Sequence, residues 1–149
     1  MSPEPIRVKY QSVAAEPDPS RNSPKLDLKV IFTDPAKTAA ALEAARTMAR
    51  GLSANITLLA AQVVPYPLPL ADPDIPVEFT ERMLKSIASE DTALEIYLCR
   101  DRNETIRRAL PPDSLVILGA RKRRWWPSWE SRLTRLLQDD GRRVLVITV

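Results

Sequence analysis

The chain has 149 residues, one domain's worth, with 22 Lys and Arg against 19 Asp and Glu (formal net charge +3), no histidine, a single cysteine, 3 glycines and 14 prolines. Lack of histidine and of a second cysteine excludes zinc sites of the usual ligand set, Ser–His and Cys–His catalytic pairs, and a disulfide within the chain. Gly51, Gly119 and Gly141 are too isolated to build a Walker A loop or a GxGxxG fingerprint.

Residues 1–24 contain Pro3, Pro5, Pro17, Pro19 and Pro24 among Ser, Glu, Asp and Asn. Such a composition buries little, so the segment reads as a flexible Pro-rich tail, within which a short strand over 6–10 is admissible; the folded domain is expected over 25–149. The segment 26–33 (LDLKVIFT) alternates Leu26, Leu28, Val30 and Phe32 with Asp27, Lys29 and Ile31, a strand pattern. Asp34-Pro35 ends it and opens a helix, with Asp34 as N-cap and Pro35 at the first helical position. That helix is predicted over about 36–50, burying Leu42, Ala45, Met48, Ala49 and then Leu52, with Gly51 closing it.

The segment 55–64 is apolar nearly throughout, as in a strand covered on both faces. A loop holding Pro65, Pro67, Pro69, Pro73 and Pro76 follows, too proline-rich for a strand interior. A second helix is predicted over 77–89, with Phe79, Met83, Leu84, Ile87 and Ala88 inward. A strand over 92–99 places Cys99 as a small buried hydrophobe. A short helix over 102–110 buries Ile106, Ala109 and Leu110 and stops at Pro111-Pro112. A strand over 114–118 ends at Gly119, and a basic, tryptophan-rich loop over 120–128 leads into a helix over 129–138 with Trp129, Leu133, Leu136 and Leu137 inward. Gly141 caps that helix. The last strand is 143–149 (RVLVITV). Glu130, Asp139 and Asp140 read as surface acids.

The opening residues carry no apolar run of the roughly 7–15 residues that a secretory leader needs. The most apolar stretch, 56–64, falls well short of the roughly 20 residues of a spanning helix. Together with one unpaired cysteine, this makes the cytoplasm the expected location. Eight basic residues against three acidic ones lie in 121–149, most of the excess in Arg121, Lys122, Arg123 and Arg124.

Strand–helix alternation of this kind implies an α/β fold, an open parallel sheet with helices on both faces. At this point the chain resembles the universal stress protein (UspA-like) family, in the adenine nucleotide alpha hydrolase-like group. The likeness lies in the opening strand, acid and alanine-rich helix (LKVIFTDPAKTAAALEAARTMARGLSANITLLAAQVV), in the late strand with its glycine (SLVILGARKRR), and in the closing helix and strand (SRLTRLLQDDGRRVLVITV); with the matching element order it covers about 26–149. The resemblance implies a five-stranded parallel sheet of order 3-2-1-4-5 and a homodimer through strand 143–149, an apolar edge that invites pairing.

Ligands of open α/β sheets bind past the carboxyl ends of the strands, where strand order reverses. In this order the facing residues are Thr33-Asp34 and Gly119-Ala120. ATP-binding relatives carry an acid after the first strand and a Gly-x2-Gly-x9-Gly-Ser/Thr loop after the fourth, whose glycines let backbone amides approach phosphates. Asp34 and Gly119 match. Lys122 stands in place of the second glycine, and Arg132 and Leu133 stand in place of Gly-Ser/Thr, so the backbone cradle is degraded.

Asp34 is thus either an acceptor for a ribose or adenine, or simply an N-cap; Gly119 is either a phosphate-approach glycine or the turn leaving a buried strand. The basic loop has three readings. Arg121 and Lys122, with Arg123 and Arg124, could replace the lost amides as an anion site for ATP. The same loop with Trp125, Trp126 and Trp129 could dock on a membrane or nucleic acid, although four charges on an otherwise slightly acidic chain fall short of a nucleic-acid footprint. Or the arginines are solvated, and the rings beside Pro127 fill the crevice that the glycines leave open in nucleotide-binding relatives. The expectation is a non-catalytic universal-stress-like regulatory or stress-response domain acting as a dimer, with no cofactor and with neither nucleic acid nor membrane as partner. Adenine-nucleotide binding through 121–124 and membrane or nucleic-acid docking through the Arg/Trp loop are the alternatives.

Overall fold

The computed structural model describes residues 6–11, 26–52, 54–66, 68–70, 77–88, 92–121 and 128–149. Its elements run β1 (Ile6–Gln11), β2 (Asp27–Ile31), α1 (Pro35–Leu52), β3 (Asn55–Val63), α2 (Val77–Ile87), β4 (Thr92–Cys99), α3 (Arg102–Ala109), β5 (Leu115–Ala120), α4 (Trp129–Asp139) and β6 (Arg143–Thr148). They form one sheet of order β1-β4-β3-β2-β5-β6. The five strands β4-β3-β2-β5-β6 are parallel, which is the order 3-2-1-4-5 counted from β2. The sixth, β1, pairs antiparallel with β4 from Ile6 opposite Leu98 to Gln11 opposite Leu94, with a bulge between Arg7 and Lys9. Most of β1 thus coincides with the short strand admitted within the expected tail; residues 1–5 and 12–24 of that tail lie outside the described residues.

The pleat divides the core in two. Leu28 and Val30 of β2, Leu58 of β3, Leu94 and Ile96 of β4 and Ile117 of β5 face α1 and α2, where Ala41, Leu42, Ala45 and Leu84 close over them. Ile31, Leu59, Val116 and Leu118 face the other way, toward Ile106 of α3 and Leu133 and Leu137 of α4. Strands buried on both faces need apolar residues at successive positions, and the burial of Leu28 to Ile31 and of Ile56 to Ala60 follows that rule. The alanines of α1 let its axis lie close to the sheet.

Three local expectations are corrected. Gly51 lies inside α1 with no positive φ, so the helix runs on to Leu52 rather than closing at Gly51. Leu52 is 53% exposed, because the stripe that meets the sheet runs from Thr38 through Ala45 and fades over the last turns. Phe79 is 66% exposed, because the first turn of α2 extends past the core that Leu84 reaches. Gly141, by contrast, does end α4. Its φ is +78°, its N–H donates to the Gln138 carbonyl at 2.9 Å and the Arg142 N–H donates to that of Leu137 at 2.9 Å, the paired bonds of a Schellman turn. The Arg142 guanidinium then donates to the Leu110 and Pro111 carbonyls, both at 2.7 Å, and satisfies the carboxyl end of α3.

Candidate functional site at the strand-order switch

β2 and β5 are neighbours in the sheet, and their connections leave toward opposite faces, α1 over one and α4 over the other. The crevice at their carboxyl ends is therefore bordered by residues 32–38 and 119–121 and by the first turn of α4. Asp34 caps α1. Its Oδ1 accepts the Lys37 backbone N–H at 2.9 Å, and its Oδ2 lies 3.1 Å from the Lys37 ammonium. The Thr33 N–H donates to the Thr38 hydroxyl at 3.1 Å, tightening the same turn. Of the two readings of Asp34, this geometry carries out the capping one.

Lys37 continues across the crevice. It is only 6% exposed, and its Nζ lies 3.2 Å from Oε1 of Glu130, itself 7% exposed. The expectation that Glu130 is a surface acid is thus corrected. It stands in the first turn of α4 and pairs with a lysine of α1, so the ion pair joins the helices of opposite faces. Burial pushes the Glu130 carboxyl up, but its own backbone N–H, the Ser128 hydroxyl and the Lys37 ammonium outweigh burial and hold it below the usual carboxylate range. Asp34 behaves likewise: the bonds and charge of Lys37, helped by the charge of Arg121, outweigh the effect of burial and lower it.

Gly119 serves this arrangement sterically. A β-carbon there would meet the Lys37 carbonyl oxygen at 2.5 Å and the Lys37 β-carbon at 2.8 Å. The glycine lets the first turn of α1 rest directly on β5. The last two of the four positions of the Gly-x2-Gly-x9-Gly-Ser/Thr pattern are no part of a loop. Arg132 and Leu133 lie within α4, and Leu133 is fully buried in the core.

Arg121 is exposed at the rim. Lys122, with Arg123, Arg124, Trp125, Trp126 and Pro127, lies outside the described residues. Trp129 is half-buried against the α3–α4 core, with the Arg102 guanidinium 4.4 Å from its ring centroid. Ser128 and Ser131 form a reciprocal capping box at the start of α4. Asn103 donates to the Trp129 carbonyl at 3.4 Å, which ties the start of α3 to the start of α4. Cys99 is buried, its thiol pushed up by that burial and donating to the Gln62 carbonyl at 3.6 Å, so it is a poor nucleophile.

Reading the residues in order misses Lys37 and Glu130. Lys37 carries one usable signal, its i,i+3 spacing from Asp34 on a helix; Glu130 carries none, since its partner is 93 positions away. Among the described residues, no group of three or more His, Cys, Asp or Glu side chains is placed to hold a metal ion, and no helix is long and apolar enough to cross a membrane. Set against known proteins, the chain matches no family model and no curated sequence.

Proposed function

We propose that this chain is a non-catalytic, universal-stress-like regulatory or interaction domain that works as a homodimer and leaves its nucleotide crevice closed. The observation that carries the reading is the Lys37–Glu130 ion pair across the switch point, 3.2 Å between charged atoms that are both buried. A triphosphate lying against β5 would have to part α1 from Gly119 and drive the buried Glu130 carboxylate away from the Lys37 ammonium, which puts an anion in a low-dielectric setting without that cation. Dimerisation is supported by β6, whose outer side has no strand partner among the described residues and whose Leu145 and Val146 are exposed, as is Val149 just after it.

Titration calorimetry of the full chain with ATP and with ADP tests this reading. The expected result is no saturable heat with either nucleotide, and micromolar affinity overturns it. If that affinity disappears when Arg121, Lys122, Arg123 and Arg124 are all changed to alanine while the melting profile stays intact, the basic loop is binding phosphates, and the adenine-nucleotide alternative replaces the closed-crevice reading.

A further inference from the structure

The outer side of β4 carries β1, the one antiparallel strand of the sheet. β4 is mostly apolar and is buried along most of its length, so without a cover it would present a long row of unpaired N–H and C=O groups. The cover is loosely made. Among the described elements β1 lies substantially against β4 alone. Ile6 and Arg7 stand opposite Leu98 and Tyr97, a bulge intervenes, and Lys9, Tyr10 and Gln11 stand opposite Ile96, Glu95 and Leu94. Bulges at a sheet edge disrupt the ladder locally and often mark where pairing ends.

The covalent connection does not impose this pairing. Leu94, Leu58 and Val30 are paired in turn across the sheet, so Gln11 stands level with Val30 of β2. From β1 to β2 is then three strand spacings, about 14 Å across the sheet, and from Val30 back to the start of β2 about 10 Å along it. Residues 12–26, which join the two strands, have a contour length of about 50 Å. β1 can therefore part from β4 without pulling on β2. A flexible tether of this kind presents its strand to the edge at an effective concentration on the order of millimolar.

We infer that the outer edge of β4, from Leu94 to Leu98, is a docking edge for an extended segment of another protein, and that β1 is the chain's own occupant, which such a segment displaces. Main-chain hydrogen bonds in the antiparallel sense supply the affinity, as in strand addition generally. β1 shows the chemistry that the edge accepts: IRVKYQ holds no acid, glycine or proline, and Arg7 and Lys9 flank its bulge. The one charged residue of β4 is Glu95, opposite Tyr10. The partner segment is accordingly extended, apolar and basic. The inference rests on the interaction-domain reading and deepens it by naming the surface, on the edge of the sheet away from β6.

The test uses the full chain and, as probe, a labelled peptide of residues 6–12 followed by fluorescence anisotropy. Wild type is expected to show no saturation below about 100 μM, because its own strand competes at millimolar effective concentration. Lys9→Pro combined with Tyr10→Pro disables β1 within the full chain: successive strand residues point their N–H groups in opposite directions, so one of the two prolines removes a bond to β4. This variant should bind the peptide at least tenfold more tightly than the wild-type limit, with amide hydrogen exchange slowed by the peptide at residues 94–98. A peptide carrying the same two prolines should not bind, and one with Glu in place of Arg7 and Lys9 should bind at least tenfold more weakly. If the variant is largely unfolded alone, circular dichroism reads its folded fraction, which the peptide should raise and the proline peptide should not. A variant that ignores the peptide, or peptide binding without protection of β4, overturns the inference. So does wild type that binds as tightly as the variant. Wild-type oligomers that the two prolines abolish would give the edge to a second copy of the chain and overturn the separate partner. The two readings fail separately: ATP binding by wild type overturns the closed crevice, whereas a silent proline variant beside a wild type that ignores nucleotide overturns the docking edge alone.

Discussion

A methyl group on Gly119 would lie 2.5 Å from the Lys37 carbonyl oxygen, a backbone atom that cannot step aside without moving the start of α1. Gly119→Ala is therefore expected to destabilise the domain by about 1–3 kcal/mol, the usual range for overpacking a tight contact, read as a lower urea midpoint at unchanged m-value. An unchanged midpoint would mean that α1 and β5 are not held this closely. The charges beside this contact have their own signature. Asp34 and Glu130 both hold folded-state pKa values below their ordinary ones. Their stabilisation is accordingly complete above the unfolded-state values, around pH 4, and is lost as the pH falls through the lower, folded-state values. Lys37→Met removes the ammonium that lowers both groups. The acid-side decline in unfolding free energy should then be shallower in Lys37→Met than in wild type, and identical slopes in chemical denaturation from pH 3 to 6 would remove Lys37 from the account. At this scale the sequence is only half legible. Asp34 beside Pro35 announces a cap because a cap is local. Glu130 passes for a surface acid because helical position constrains it only to the first turn of α4, and a partner 93 residues away leaves no trace in spacing.

Helix ends supply the contrast at the scale of elements. Gly51 and Gly141 each follow an apolar helical pattern, and sequence alone assigns both to the same closing role. Only Gly141 takes it, with φ at +78° and both bonds of the Schellman turn; Gly51 continues α1 at an ordinary φ with open space around it. Alanine should consequently act in opposite directions. Gly51→Ala should stabilise the protein by about 0.4–1 kcal/mol by restricting the unfolded chain, and Gly141→Ala should destabilise it by roughly 1–2 kcal/mol, the strain of a left-handed alanine. Thermal or chemical unfolding of the two variants side by side checks both signs; two shifts of the same sign would contradict the assigned helix ends. Strands were more legible than helix faces. The segment 92–99 shows the same bounds in sequence and structure because alternation and length both mark it. Phe79 misleads because period 3.6 shows which side of α2 is apolar but not where along the helix the sheet ends.

At the scale of the whole molecule, an open parallel sheet was readable from the alternation of strands and helices, whereas its order 3-2-1-4-5 came from the family resemblance. What such a pattern does not say is how the two outer edges are finished. One edge, along β4, is covered by β1 in antiparallel pairing. The pairing is supplied by a segment whose prolines and polar residues mark it as a tail, so its composition made the strand over 6–10 admissible without saying which edge it would cover. The other edge is β6, where RVLVITV offers backbone donors and acceptors outward and leaves Leu145 at 37% and Val146 at 39% exposure. Edges of soluble proteins are usually blunted by an inward charge, a proline or a bulge; between Arg143 and Thr148 this strand has none of these after its first residue. The proposed dimer would finish the sheet by seating one β6 against another, with the apolar side chains on each face of the strand covered in the same step. Val146→Lys puts a charge at the middle of that edge and spares the core, since Val146 is 39% exposed and belongs to none of the core clusters. Sedimentation velocity should then show a dimer for wild type and a monomer for Val146→Lys, with the melting profile of the variant becoming independent of protein concentration. A wild-type chain that sediments as a monomer at high concentration, or a Val146→Lys chain that remains dimeric, would place any self-association elsewhere than β6.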